Sequence, residues 1–474
     1  MPGALALALL VASIADAPQE GGDLPAALRR FTQVYAVVES QAAERPDPER
    51  AIYGGAIPGM LRQLDPHSVF FDPQQFEQLK ELERSTRKGF GTIVSVMPGR
   101  VVVLQALPGT PSARAGIAPG DEILAINDIS LDRLDMEQLV ALLGESRQKP
   151  AKLEVRRPGA QGLLTLTLVP EEMQSPSVER AFLLAPGVGY LRVTNFDAQT
   201  GQQVREAIER LGGSSLRGLV LDLRNNPGGI LPAALETASL FLPAGSRLLT
   251  ARGRVVGPRE EKAPEGNQPY QFALAVLING RTASAAEIVA GALQDHGRAV
   301  IVGEPSFGKG LVETVYSLSQ NTGLALTTAY YYTPKGRSIQ RSLPGTPLAP
   351  AGKGEPQSGG IQPDRVAFPE PLTPFRTVVE ASGAFTSFAT EYIRRHKVTE
   401  DFQVTPEVLD EFQSYLAQRN IQPSVGEWSR EREWIATRLK TEILNQGVGV
   451  ETGDRVEVGR DPVVRAALRA LGLS

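Results

Sequence analysis

Residues 274–310 read LAVLINGRTASAAEIVAGALQDHGRAVIVGEPSFGKG. The stretch opens on an apolar run, Leu274 to Ile278, too short for a core helix and closed by Asn279-Gly280, so it predicts a buried strand ending in a turn. From Ser284 onward, Ala285, Ile288, Val289, Ala292 and Leu293 recur at helical spacing, with Glu287 in the first turn and Gly297 as the break. Ser284 therefore stands at a strand-to-helix corner. There the first backbone N–H groups of the helix lack intrahelical partners and its dipole favours negative charge, so an oxyanion forming beside Ser284 would meet ready donors. A second buried strand, Ala299 to Val302, precedes Phe307-Gly308-Lys309-Gly310. A lysine between two glycines has no evident packing role.

A serine hydroxyl at its ordinary pKa is a weak nucleophile and needs a base. The chain has three histidines. His67 follows Asp65-Pro66 in a turn, His396 sits in the basic run Arg394 to Lys397, and His296 lies on the Ser284 helix. Twelve residues separate His296 from Ser284, roughly 18 Å at helical rise, which removes it as a direct partner. Lysine can serve as the base if burial lowers its pKa, and a strand returning beside the helix could bring Lys309 to Ser284. The pattern points to a Ser–Lys dyad.

Thr282-Ala283-Ser284-Ala285-Ala286-Glu287-Ile288 resembles the S-A-S-A-S-E-I motif of the C-terminal processing peptidases, or tail-specific proteases. The family's nucleophile falls on Ser284, and its F-G-K-G lysine, the general base, on Lys309. Asn226-Pro227-Gly228-Gly229, after the run Leu221 to Asn225, matches the upstream N-P-G-G. That resemblance implies an oxyanion hole from the amides of Gly229, with Gly228 as a further candidate, and of Ala285. Where many relatives carry a glutamine that orients the lysine, this chain has Glu313. An ionised carboxylate there favours the ammonium, so Glu313 is expected to be protonated in a dry site, to point elsewhere, or to form a weaker version of the dyad, and the hypothesis carried forward is that it holds Lys309 in place as a hydrogen-bonding partner. Asp295 matches an acidic residue of some relatives. At a helix C-terminus its charge is misplaced, and a structural acceptor role is expected.

Residues 84–170 resemble a PDZ domain of the bacterial protease type. Lys88 to Thr92 matches the carboxylate-binding loop, and Pro111 to Asn127 the A-x-x-A-G-I-x-P-G-D-x-I-L-x-I-N core. Asp135 and Gln138 predict a capping box before a helix carrying Met136, Leu139, Val140 and Leu143. PDZ domains add an extended chain end as a strand, and the resemblance puts that peptide against Gly89, Phe90, Gly91 and Leu139.

With 474 residues the chain must divide into several units. A net charge of −4 with no basic block gives no argument for nucleic acid as a partner. The absence of cysteine excludes disulfides and thiol nucleophiles, and with three scattered histidines it argues against a zinc site. No metal or cofactor is expected. Ala4 to Ile14 followed by Ala15-Asp16-Ala17 reads as a signal peptide, 1–17, shorter than the roughly 20 residues that span a bilayer.

The expected architecture is multidomain α/β. A helical N-terminal region, 24–83, has a structural or dimer-forming role, and its L-D-P-H-S run, Leu64 to Ser68, also matches the family. The PDZ domain follows, then a ClpP/crotonase-like ββα protease core at 171–341 plus 359–370. A flexible Pro/Gly-rich insertion, 342–358, and a helical region, 371–474, complete the chain. Gly189 to Phe196 alternates like a strand, and Leu324 to Tyr332 is a β-rich run whose edge could accept substrate backbone. The resemblance implies an exported serine endopeptidase of the periplasm or cell envelope. It would act on unfolded or tail-exposed exported proteins, with no stable membrane span once the leader is cleaved, and could form a homodimer. Two rivals remain: a non-catalytic PDZ scaffold, and an acyl-CoA enzyme of the crotonase type.

Overall fold

The computed structural model describes residues 23–473 apart from 84–85, 98, 175, 256 and 343–358. The expected leader, and all of the expected insertion but residue 342, lie outside the described residues. The chain divides into two compact units, 1–63 and 64–474.

In the first unit, α1 (Leu24–Gln41) is capped by the Asp23 carboxylate, which accepts the Ala26 N–H. Then α2 (Pro48–Ala51) runs through a π-helical turn at Gly54-Gly55 into α3 (Ile57–Arg62). Leu28, Phe31, Val34 and Val38, the apolar side of α1, are exposed.

The second unit begins with β1 (Val69–Phe71) and α4 (Pro73–Glu83). The PDZ domain follows: β2 (Thr86–Gly89), β3 (Thr92–Met97), β4 (Arg100–Ala106), α5 (Pro111–Arg114), β5 (Glu122–Ile126), β6 (Ile129–Ser130), α6 (Met136–Ser146), β7 (Ala151–Arg156), β8 (Leu163–Leu168) and β9 (Glu171–Gln174). Its sheet runs β3-β4-β5-β7-β8, with β6 beside β5, and β2 pairs with β9 where the chain enters and leaves. The predicted Asp135–Gln138 capping box is present.

The core is built from β10 (Val178–Ala185), β11 (Val188–Val193), α7 (Thr200–Leu211), β12 (Gly218–Asp222), α8 (Leu231–Ser239), β13 (Arg247–Gly253), β14 (Arg259–Lys262), β15 (Ala273–Ile278), α9 (Ala285–Asp295), β16 (Val300–Gly303), β17 (Leu311–Ser317), β18 (Gly323–Tyr332) and β19 (Arg365–Val366). One sheet has the order β10-β11-β12-β15-β16-β19, parallel from β11 onward. Six helices follow: α10 (Pro374–Ala381), α11 (Ala384–Arg395), α12 (Pro406–Ala417), α13 (Val425–Gly447), α14 (Val450–Arg460) and α15 (Pro462–Ala470).

Alternate strand residues face opposite sides of a sheet, and here both sides are covered. Leu191, Leu219, Leu221, Val276 and Ile301 pack under α7, α8 and α9. Tyr190, Val220, Ala275, Leu277 and Val302 pack under Val463, Val464 and Ala467 of α15. Thus β11, whose sequence alternates like a strand, is buried along almost its whole length because the C-terminal helix closes the second face. The helical region packs on the PDZ domain too. Arg100 donates to Ser387 Oγ, and Met97 Sδ lies against Gly383.

A second sheet contains β18, flanked by β17 along one side and by β1 and β13 in turn along the other. It is therefore an interior strand, which corrects the expectation of an open edge. Only Leu326 to Thr328, between the β1 and β13 pairings, has no strand partner on that side.

Candidate active site

Ser284 sits at the corner between β15 and α9 with φ 54° and ψ −118°, a backbone region that costs on the order of 1–3 kcal/mol for a residue with a side chain. Neighbouring groups hold it there. The Ala283 N–H donates to the Asn226 carbonyl (2.9 Å), and the Ser284 N–H donates to Glu287 Oε2 (2.8 Å).

The Pro227-Gly228-Gly229 loop closes on this corner. A Cβ on Gly228 (φ 102°) would stand 2.8 Å from Ser284 Cβ and 2.9 Å from the Ala285 nitrogen, and one on Gly229 (φ 146°) would overlap the Phe196 carbonyl at 1.9 Å. Only glycine fits either place. Asn226, fully buried, shapes the loop by donating to the Val193 carbonyl (2.9 Å) while its Oδ1 accepts the Gly228 N–H (2.8 Å). That bond corrects the sequence reading of Gly228 as an oxyanion donor, because its amide is already committed. The Gly229 and Ala285 amides have no acceptor among the described residues, Ala285 because it opens the helix.

Lys309 arrives on the segment after β16. Glu287, with no exposed surface, is the hub that joins it to the serine: Oε1 accepts Ser306 Oγ (2.5 Å) and the Gly308 N–H (2.7 Å), and Oε2 accepts the N–H groups of Ser284 and of Lys309 (2.9 Å). Burial raises the Glu287 pKa, and these four bonds oppose the rise. The Tyr331 hydroxyl, from β18, donates between the carbonyl oxygens of Ser284 (3.0 Å) and Lys309 (2.5 Å). Complete burial and then the Glu287 charge push this phenol well above its ordinary range, so it stays a donor. Two buried side chains thus clamp the backbones of both predicted dyad residues.

The Lys309 ammonium lies 3.0 and 3.1 Å from the two Glu313 oxygens, and both side chains remain partly exposed. Of the three expectations for Glu313, the one in which it points elsewhere is set aside. The β17–β18 register breaks between Val312 and Glu313, with Thr328 as the extra residue, a bulge that re-aims Glu313. Asp295 has the structural role expected of it: Oδ2 accepts the Lys335 N–H (2.8 Å), and Oδ1 pairs with Arg337. His296 is at the far end of α9 against the Arg247 carbonyl, and His396 stacks on Tyr392.

Residues 187–364 match the model of peptidase family S41, and residues 102–157 that of the PDZ domain. A carboxy-terminal-processing protease of Bartonella bacilliformis is 36% identical over 318 residues, covering 66% of this chain and 72% of the relative. Carboxyl-terminal-processing proteases of a Synechocystis and a Picosynechococcus species are 33% and 32% identical, covering 65% and 72% of this chain and 73% and 79% of theirs. The chain belongs to peptidase family S41.

As an S41 serine peptidase the protein leaves the scaffold and acyl-CoA readings behind. Its PDZ domain carries a groove of about 260 Å³ lined by Gly89, Phe90, Gly91, Val94, Leu143 and Arg147, with Lys88 and Ser146 also at its wall. Leu139 is not part of that lining. It is fully buried in the domain core with Val101, Ile123 and Val155, so its expected role in binding peptide is corrected. The capped first turn of α6 does not line the groove, and only the last turn and its C-cap, Leu143, Ser146 and Arg147, reach it.

Two residues of this S41 site escaped the sequence reading. Glu287 was noted only as a first-turn acid, although Ser-x-x-Glu is a capping-box pattern and an acid within the apolar run Ala285 to Leu293 should have flagged a buried partner. Tyr331, one of three consecutive tyrosines, had no distinguishing signal.

Proposed function

We propose that this S41 peptidase is an exported C-terminal processing protease with a Ser284–Lys309 dyad. The observation that carries the reading is the strained Ser284 corner, flanked by two unused amides and tied through Glu287 to the Lys309 backbone. A substrate peptide seated over the site strips water from Lys309 and disfavours its charged form. Neutral Nζ takes the Ser284 proton as Oγ bonds to the peptide carbonyl carbon, and the Gly229 and Ala285 amides hold the oxyanion. Removal of one such donor typically costs on the order of a hundredfold or more in turnover. As the C–N bond breaks, the ammonium returns its proton to the leaving amine. Lys309 then takes a proton from the water that releases the acyl group. Glu313 acts as an orienting hydrogen-bond partner for Lys309.

The PDZ groove fits a chain end: it is apolar at Phe90, Val94 and Leu143, and Lys88 and Arg147 supply positive charge for a terminal carboxylate. Substrates are unfolded or tail-exposed exported proteins. No helix among the described residues is long and apolar enough to cross a membrane, and residues 1–17 act as a cleaved leader. The exposed apolar side of α1 suits a homodimer contact.

The test compares cleavage of an unstructured, tail-exposed protein by the wild type, Ser284→Ala and Lys309→Ala. Loss of cleavage with substrate binding retained is expected of both variants. Wild-type rates in either would remove the dyad.

A further inference from the structure

One titratable side chain beside Lys309 has no role in the Ser–Lys mechanism. Asp65, buried, pins the turn that carries it: Oδ1 accepts the N–H groups of His67 (2.7 Å) and Ser68 (2.8 Å), and Oδ2 accepts Ser68 Oγ (2.7 Å). That Ser68 hydroxyl in turn accepts the Thr327 N–H (3.2 Å), and β1 pairs with β18 from Val69↔Ala325 onward. Carried back two residues, the register sets His67 across from Thr327. Glu313 is across from the same Thr327 on the other side of β18. Two strand spacings separate the His67 and Glu313 backbones, roughly 10 Å, a span that an imidazole and a carboxylate on one sheet face can nearly close. Between them the Thr327 hydroxyl is buried without a hydrogen-bond partner.

The His67 ring is half-buried and has no hydrogen-bond partner among the described residues. Burial and the Lys309 charge both lower its pKa from the usual 6.5, and the Glu313 and Asp65 carboxylates oppose the shift. The ring is therefore neutral at pH 7. From β18, Tyr330 also faces Asp65, and burial raises its pKa, so it remains an uncharged phenol in this range.

We propose that His67 is a positioning residue of the Lys309–Glu313 pair: as a neutral imidazole it leaves Glu313 to the lysine, and as an imidazolium it draws that carboxylate away. The acid limb of activity then reports His67. This assignment rests on the Ser–Lys reading above, but the coupling it requires can be measured without turnover.

With three histidines in the chain, the ring resonances of the full-length protein, labelled at histidine, can be followed by NMR, and His67→Gln assigns the one at issue. Its titration midpoint should rise in Lys309→Ala, which removes a cation, and fall in Glu313→Gln, which removes an anion. A midpoint unmoved in both overturns the proposal. In cleavage assays, His67→Gln and His67→Asn should move the acid limb of kcat/KM to lower pH by about half a unit or more, through kcat rather than KM. A profile superimposable on wild type overturns it as well. If neither variant folds, His296→Gln and His396→Gln assign the remaining resonance by elimination, and its titrations in the Lys309 and Glu313 variants still decide. Wild-type cleavage by Ser284→Ala would instead sink the dyad reading and leave the ring couplings intact, so the two failures are distinguishable.

Discussion

The serine side and the lysine side of the site are held by different means. Around Ser284 the constraints are backbone amides, glycines and fully buried acceptors, with Asn226 and Glu287 at 0% exposure. Around Lys309 Nζ they are half-exposed side chains, Glu313 and His67, whose charges respond to one another. Preorganised dipoles in a dry setting keep their geometry over a wide pH range, whereas a partly solvated ion pair shifts with every proton gained or lost. The division teaches that the geometry at Ser284 belongs to the fold and the charge balance around Lys309 to the side chains.

The largest expected effect breaks the serine side outright: Ser284→Ala should lower kcat/KM by at least about a thousandfold with unchanged thermal stability, checked by peptide cleavage beside a melting curve. Glu287→Gln comes next. An amide would present a donor where two of the four bonds need an acceptor, at about 1–3 kcal/mol each, so both stability and activity should fall, read by denaturant unfolding and turnover. A stable, active variant would show that the hub does not couple the two sides.

On the lysine side, Glu313→Gln should leave the fold intact and shift the acid limb of the pH–rate profile to lower pH, because an anion that favours the His67 imidazolium is gone. An unchanged rate and profile would remove Glu313 from the mechanism. The smallest effect concerns stability. With the folded pKa of His67 lowered, the unfolded chain binds the proton more readily, so stability relative to His67→Gln is full above 6.5 and declines as pH falls toward the folded value. Paired unfolding curves at pH 7 and pH 5 measure it, and a constant difference would contradict the shift.

How much could be read in advance follows the same line. The strand–corner–helix around Ser284, the glycine loop and the PDZ core are local; spacing placed the first, where β15 ends at Ile278 and α9 begins right after Ser284, and motif resemblance marked the PDZ core. The exposed and buried assignments were weaker wherever a distant segment intervened. Gly228 lost its amide to Asn226, Leu139 gave way to Leu143 and Arg147, and β18 turned out to be an interior strand. None of these leaves a mark in local periodicity.

From sequence alone came the element types and the strand-to-helix corner at Ser284, because backbone preference and hydrophobic spacing act within a few residues. Only the tertiary structure decided that α15 would seal the second face of the sheet and that Glu287 would sit between Ser284 and Lys309. It likewise decided that a turn some 240 residues upstream of Lys309 would set His67 across β18 from Glu313. An apolar or polar pattern states what must leave water or find a partner. Which partner it finds depends on contacts between segments far apart in the chain, and those form only when the whole polymer closes.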